Sequence, residues 1–255
     1  MNTVEPNREY ARFSRQIAFV IAANIIGLLL GFIRLPILTK GLGAAQYGTW
    51  SLIDVTISLI TPLALIGLHM GIIRFLAAEK ENSRIREDFI SVFSVVFILG
   101  AVLAVLLTLF SDYLAVSIFK DIDSSVYIKM ASVLILVNAT LALNLAFFQT
   151  FRKIGLRTVI GLMQGLLQVG LMALFIFLGY ELKGVIAAFM VSGVLFGLIT
   201  LFIILRQHGF QLPRFSRLRE YLKFSIPLTP NMAMMWVITG FIFEPSVIGT
   251  TSGSP

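Results

Sequence analysis

The sequence predicts an all-α fold: a polytopic membrane helix bundle with one six-helix lobe and the first helix of a second, parallel lobe. Three observations predict it. The 255 residues are 58% hydrophobic and only 13% charged, with a mean hydropathy of +0.93, whereas soluble domains carry about 25% charged residues. Seven apolar runs are each long enough to cross a bilayer, which takes roughly 20 residues. The connections between them are short, and every second one is basic.

The runs fall at 16–38, 47–73, 89–110, 126–148, 158–180, 184–205 and 222–243. The first exceeds a signal-peptide core, contains Arg34 and is followed by Thr39-Lys40-Gly41 rather than small residues at a cleavage site, so it is retained as a span. Pro62 lies inside the second and removes a backbone donor there, which predicts a kink or a flexing point. The third and sixth hold little polar matter beyond Ser and Thr and should face lipid or pack peripherally. The seventh opens on Phe224-Ser225-Ile226-Pro227-Leu228.

Fifteen of the 20 Lys and Arg residues fall on one side of this arrangement, at the N-terminus and in 74–88, 152–157 and 206–223, against five on the other. Cytoplasmic loops hold that excess. The expectation is a multi-pass protein of the cytoplasmic membrane with its N-terminus in the cytoplasm. The net charge of +7 is then a topological signal and not the footprint of a nucleic-acid partner.

The seven residues Arg8-Glu9-Tyr10-Ala11-Arg12-Phe13-Ser14 recur as Arg219-Glu220-Tyr221-Leu222-Lys223-Phe224-Ser225, with five positions identical. Both copies lead into a membrane run from the basic side. Six spans intervene, so the second copy starts a lobe parallel to the first. This divides the chain into a six-helix lobe over 1–210 and the start of a second lobe over 211–255. The polar ending Gly249-Thr250-Thr251-Ser252-Gly253-Ser254-Pro255 is expected to reflect a truncated or frameshifted product, the alternative being a complete seven-helix protein.

Polar side chains in hydrocarbon are costly and face a bundle interior or an aqueous cavity. Those expected to line such a cavity are Asn24 and Arg34 in the first run, Asp54 and His69 in the second, Lys129 and Asn138 in the fourth, and Gln164 and Gln168 in the fifth. The two glutamines are spaced i,i+4 and share a face. With the turn near Leu42, Arg34 and Asp54 differ in depth by roughly 6 Å at 1.5 Å per residue, within reach of each other. Gly27/Gly31, Gly67/Gly71, Gly161/Gly165 and Gly193/Gly197 form small-xxx-small pairs that allow close helix approach.

No GxxxxGK[ST], HExxH or GxSxG motif occurs, and there is no cysteine, so P-loop hydrolysis, zincin chemistry and thiolate chemistry are excluded. Neither histidine has a partner at metal-ligand spacing, and no metal or other cofactor is expected.

The join of the first two runs, from Arg34-Leu35-Pro36-Ile37-Leu38-Thr39-Lys40-Gly41-Leu42-Gly43 through Ala44-Ala45-Gln46-Tyr47-Gly48-Thr49-Trp50-Ser51-Leu52, resembles the polysaccharide and O-antigen flippase family of the multidrug/oligosaccharidyl-lipid/polysaccharide exporter superfamily. Gly67-Leu68-His69-Met70-Gly71-Ile72-Ile73-Arg74-Phe75 and the opening of the seventh run are similar to it as well. The pattern departs at Glu244-Pro245-Ser246, where relatives often carry an Asp-Arg pair.

The resemblance implies a transporter, not an enzyme, that flips a lipid-linked oligosaccharide for the cell envelope by alternating access. Its partners would be the lipid-linked glycan, membrane lipids and other polysaccharide-assembly proteins. Alternatives are a drug or cation exporter of the same superfamily, which should favour acidic cavity residues, a membrane glycosyltransferase or polymerase, which should carry a large aqueous loop, and a scaffold that transports nothing.

Overall fold

The computed structural model describes residues 6–209, 212–215 and 217–228, with side chains from Ala18 onward. Five helices are long and apolar enough to cross a membrane. The first of them, α1 (Pro6–Leu65), contains a single non-helical residue, Gly43, at φ 72° and ψ 172°. Glycine populates that region without the Cβ clash that excludes other residues. The chain folds back there, so that Arg34 on the first arm (6–42) faces Asp54 on the second (44–65). The five helices therefore make six passes.

After Leu65 the chain breaks at Ile66 and Gly67, both left-handed, and resumes as α2 (Leu68–Leu76). The second predicted span is thus two helices. Pro62 does not end the first of them: its own carbonyl still accepts the Ile66 N–H at 3.0 Å, and the chain turns only where Gly67 permits it.

Then follow α3 (Asn82–Leu109), the short α4 (Ser111–Leu114) with a π turn (Ala115–Phe119), α5 (Ser124–Thr150), α6 (Ile154–Phe177), α7 (Glu181–His208), α8 (Leu218–Ser225) and a 3₁₀ turn (Ile226–Leu228). Of the seventh predicted span, only α8 and this turn lie within the described residues. Helix α3 starts seven residues before the apolar run because its first turns are amphipathic, with Ile85 and Asp88 buried and Asn82 and Arg84 exposed.

The connections α2–α3, α5–α6 and α7–α8 gather at one end. Arg217 pairs with Glu79 at 3.2 Å, His208 meets Asn82, and Lys153 donates to Gln207 at 2.6 Å. This is the basic end. At the opposite end Gln46 donates to Glu181 at 2.6 Å.

Helix α5 is the hub: 67% of its apolar window is buried, against 39% for α3, 28% for α7, 11% for α6 and 6% for α1. The third and sixth runs, α3 and α7, are much less buried than α5, in line with the expectation, but α1 and α6 expose still more. Small residues bring α5 against its neighbours. A Cβ on Gly193 of α7 would stand 2.5 Å from Val137, and one on Gly100 of α3 would stand 3.1 Å from Leu136. Polar groups inside these contacts are tied across helices. Asn144 donates to Thr200 Oγ1 at 3.0 Å and to the Gly197 carbonyl at 3.2 Å, and Thr108 and Ser132 share a hydrogen bond of 2.8 Å. On the first arm of α1, by contrast, Phe32 is 74% exposed and Leu28 66%. Such a surface suits lipid and not water.

Candidate functional site

The first arm of α1 and helix α6 run parallel, in a fixed register. Leu30 lies 3.4 Å from the Cβ position of Gly165, and Ile176 lies 2.6 Å from that of Gly41, which is an offset of 135 residues at both points. Between the two helices, floored by Leu145 of α5, runs an open cavity of about 820 Å³. Its walls carry Gly27, Gly31, Gly161 and Gly165. A Cβ added at any of the first three would meet nothing within 4 Å. These two glycine pairs thus leave a groove open instead of closing a contact, while Gly193 and the Gly67/Gly71 pair do accept close neighbours.

Five side chains supply the groove's hydrogen-bonding capacity: Asn24, Arg34, Arg157, Thr158 and Gln168. Arg34 is held from two further segments. Its Nη2 stands 4.0 Å from Asp54 Oδ2 on the second arm of α1, and its guanidinium carbon lies 4.5 Å from the ring centre of Phe189 on α7. That ring rests on Trp50, 4.7 Å away and 2% exposed. An arginine stacked on an aromatic face keeps its N–H fork free to meet an oxyanion.

Three of the predicted site residues, Asn24, Arg34 and Gln168, thus line one groove, and a fourth, Asp54, meets Arg34 from outside the lining. The other four stand apart. Gln164 falls just off the lining arc of α6, because at 100° per residue it sits 40° beyond Gln168, away from Gly161 and Gly165. Asn138 is half-buried on α5, two turns from Leu145 on the same face. His69 lies on α2 with its Nδ1 buried and unpartnered, and is not in the groove. Lys129 is at the end opposite the basic one, 2.8 Å from Asp112, which also accepts a hydrogen bond from Ser125.

Three contributors escaped the sequence reading. Arg157 was counted among loop charges, although Arg157, Gly161 and Gly165 recur every four residues and so share a helix face. Phe189 and Trp50 carry no polar signal at all.

A second polar cluster sits at the basic end. Asp88, 5% exposed, accepts from Arg217 Nη1 at 3.1 Å and from the Tyr221 hydroxyl at 3.0 Å, while the same Arg217 nitrogen reaches Glu79 at 3.2 Å. Ser91 Oγ donates to the Arg214 carbonyl at 2.9 Å and accepts from its N–H at 3.1 Å. Burial, followed by the Asp88 charge, pushes the Tyr221 phenol well above its ordinary range, so it stays a donor. Helix α8 is seated on α2: Tyr221 comes within 3.2 Å of the Cβ position of Gly71, and the Ser225 carbonyl within 2.7 Å of that of Gly67. The second copy of the sequence repeat is therefore a clamp on α2 and α3. Its counterparts Tyr10 and Ser14 lie outside the described side chains.

Among the described residues no group of three His, Asp or Glu side chains is placed to hold a metal.

A bundle of apolar helices with lipid-facing surfaces, enclosing a groove with a pinned arginine, defines a multi-pass membrane protein. The chain belongs to the family of polysaccharide biosynthesis proteins, whose sequence profile matches residues 13–244. No curated protein and no solved structure matches it.

Proposed function

We propose that the protein moves a lipid-linked oligosaccharide across the cytoplasmic membrane by alternating access, with its N-terminus in the cytoplasm and without covalent chemistry. In this reading residues 1–210 form one lobe, and 211–255 open the second wall of the path. The observation that carries it is the groove itself. Its charged lining consists of two arginines and no carboxylate, which suits an anionic cargo and disfavours the cation exporter that is the alternative within the superfamily. Membership of a polysaccharide biosynthesis family supports a glycan as the attached cargo. The groove opens sideways between two lipid-exposed helices, so a lipid tail can stay in the bilayer while the polar part travels.

Arg34 is the residue on which the reading turns. In a full-length form with both walls of the path, Arg34→Ala should abolish export in a strain lacking the gene and Arg34→Lys should rescue it only partly, because an ammonium lacks the planar fork. Full export by Arg34→Ala at normal expression would remove Arg34 from the mechanism. The orientation has its own test in this cysteine-free chain. A cysteine at Ser83 should resist an impermeant thiol reagent in intact cells and react after permeabilisation. Labelling in intact cells would invert the topology.

A further inference from the structure

The polar lining of the groove is not spread evenly along it. The 135-residue offset between α1 and α6 brings Arg157 level with residue 22, and Thr158 and Asn24 lie within two residues of that level. The same offset brings Arg34 level with residue 169, beside Gln168. Between these two stations the walls are glycine and aliphatic. They are twelve residues apart along the helices, about 18 Å at 1.5 Å per residue.

The two arginines also differ in what they touch. Arg34 has Asp54 and Phe189. Arg157 makes no ion pair and no ring contact among the described residues, and neither Asn24 nor Thr158 hydrogen-bonds another side chain there. Three groups at one level of the cavity, one of them an exposed cation, are left to whatever enters from the basic end.

Depth decides what that is. Arg157 is the fourth residue of α6, about 5 Å from the start of a helix roughly 36 Å long. In a bilayer with a hydrocarbon core of about 30 Å this backbone position lies at the edge of the core, from which a long arginine side chain extends to the lipid phosphates. A phosphate attached to a membrane-anchored chain meets Arg157 without leaving its own leaflet. It cannot meet Arg34 until it has crossed more than half of the core.

We propose that Arg157, with Asn24 and Thr158, forms a loading site for the phosphate or pyrophosphate group of a membrane-borne amphiphile, separate from Arg34, which that group meets only after crossing. This rests on the transport reading above and adds an order of events to it: Arg157 first, the apolar stretch next, Arg34 on the far side.

The test is equilibrium binding of labelled farnesyl pyrophosphate to the purified chain in phosphatidylcholine nanodiscs, with inorganic pyrophosphate and farnesol as the other arms. Wild type should bind farnesyl pyrophosphate saturably and farnesol weakly. Arg157→Gln should weaken binding of farnesyl pyrophosphate at least tenfold, Arg157→Lys less than threefold, and Arg34→Gln less than threefold. Because the chain has no native cysteine, Arg157→Cys provides a control against misfolding: a cationic methanethiosulfonate should restore binding and an anionic one should not.

If inorganic pyrophosphate binds as tightly as the farnesyl ester, the site takes a soluble anion, and the membrane source is overturned. Comparable losses from Arg34→Gln and Arg157→Gln would merge the stations and overturn their separation. A loss confined to Arg34→Gln would overturn the loading site while the transport reading stands. No saturable binding by wild type would sink the transport reading along with it.

Discussion

Two arginine–aspartate pairs occupy this bundle in opposite circumstances. At the basic end, Arg217 and Asp88 approach to 3.1 Å, the carboxylate is 5% exposed, and Tyr221 and Glu79 complete the cluster. At the wall of the groove, Arg34 stands 4.0 Å from Asp54, which lies outside the lining and is 48% exposed, and the second partner of the arginine is a ring face. A guanidinium carries five N–H donors. At the clamp Nη1 of Arg217 is shared by two carboxylates and Nε faces a third, that of Glu220, at 3.7 Å, whereas Arg34 reaches its carboxylate only at 4.0 Å. The same two residue types thus build a fastener in one place and a loose, half-open pair in the other, and the difference lies in how many neighbours crowd the carboxylate.

The largest expected effect comes from breaking the fastener. Asp88→Ala strands the Tyr221 hydroxyl and removes the principal carboxylate of Arg217, and should cost about 3 kcal/mol, as loss of one partner of a buried pair does. Asp54→Asn should cost less than about 1 kcal/mol, because its carboxylate is half open. Thermal unfolding in nanodiscs would show the gap, and equal midpoints for the two variants would erase the distinction.

Packing offers the next contrast. Gly193→Leu drives a side chain into Val137 and should destabilise by about 1–3 kcal/mol, the range for overpacking. Gly161→Leu meets open groove and should leave the unfolding midpoint unchanged or slightly raised, since leucine is the better helix former by somewhat under 1 kcal/mol. A midpoint that falls as far for Gly161→Leu would mean that the groove is closed in the membrane.

A smaller effect concerns how Arg34 is aimed. A double-mutant cycle of Arg34→Gln with Phe189→Leu should give a coupling of about 0.5–1 kcal/mol, the range for a partly exposed cation–π contact. Zero coupling would leave Asp54 as its only anchor.

The smallest effect belongs to a third ion pair, Asp112 with Lys129, which stands in solvent at the opposite end and sets the floor of the comparison. Hydrogen bonds from Lys129 and Ser125 hold the Asp112 carboxyl below its ordinary range. A carboxyl lowered by folding contributes stability at neutral pH and loses it as the pH falls through the lowered value. The unfolding midpoint should therefore drop shallowly in the acid range, and Asp112→Asn should flatten that drop. An unchanged acid limb in Asp112→Asn would show that the pair contributes nothing.

The helices were legible because they are one-dimensional facts. A run of apolar residues must satisfy its backbone internally, and only a helix does so within one segment of a bilayer. Hence 126–148 and 184–205 reappear within α5 and α7 with two or three residues added at each end, and 158–180 reappears as α6, which starts four residues earlier and ends three earlier. The approach of Arg34 to Asp54 was legible for the same reason: a turn near Leu42 and a fixed rise per residue place both at one depth. The break at Ile66 and Gly67 was less so. Pro62 is the more conspicuous residue there, yet proline removes only one bond, whereas glycine admits the left-handed turn.

What the sequence by itself determined is therefore the class of the protein, the number and rough limits of its described passes, and the depth of each polar group along its own helix. Which groups meet was decided by rotation and register between helices, and these follow from contacts far apart in the chain. Gln168 lines the groove and Gln164 does not because α6 presents one arc to α1. Lys129 is lost to the groove because Asp112 stands at the top of the neighbouring helix. Arg157 joins the groove, and Tyr221 becomes a clamp, only once α6 lies parallel to α1 and α8 lies on α2. A side chain's depth is set by its position in the helix, but its partner is set by which face the neighbouring helix covers, and no local stretch of sequence contains that neighbour.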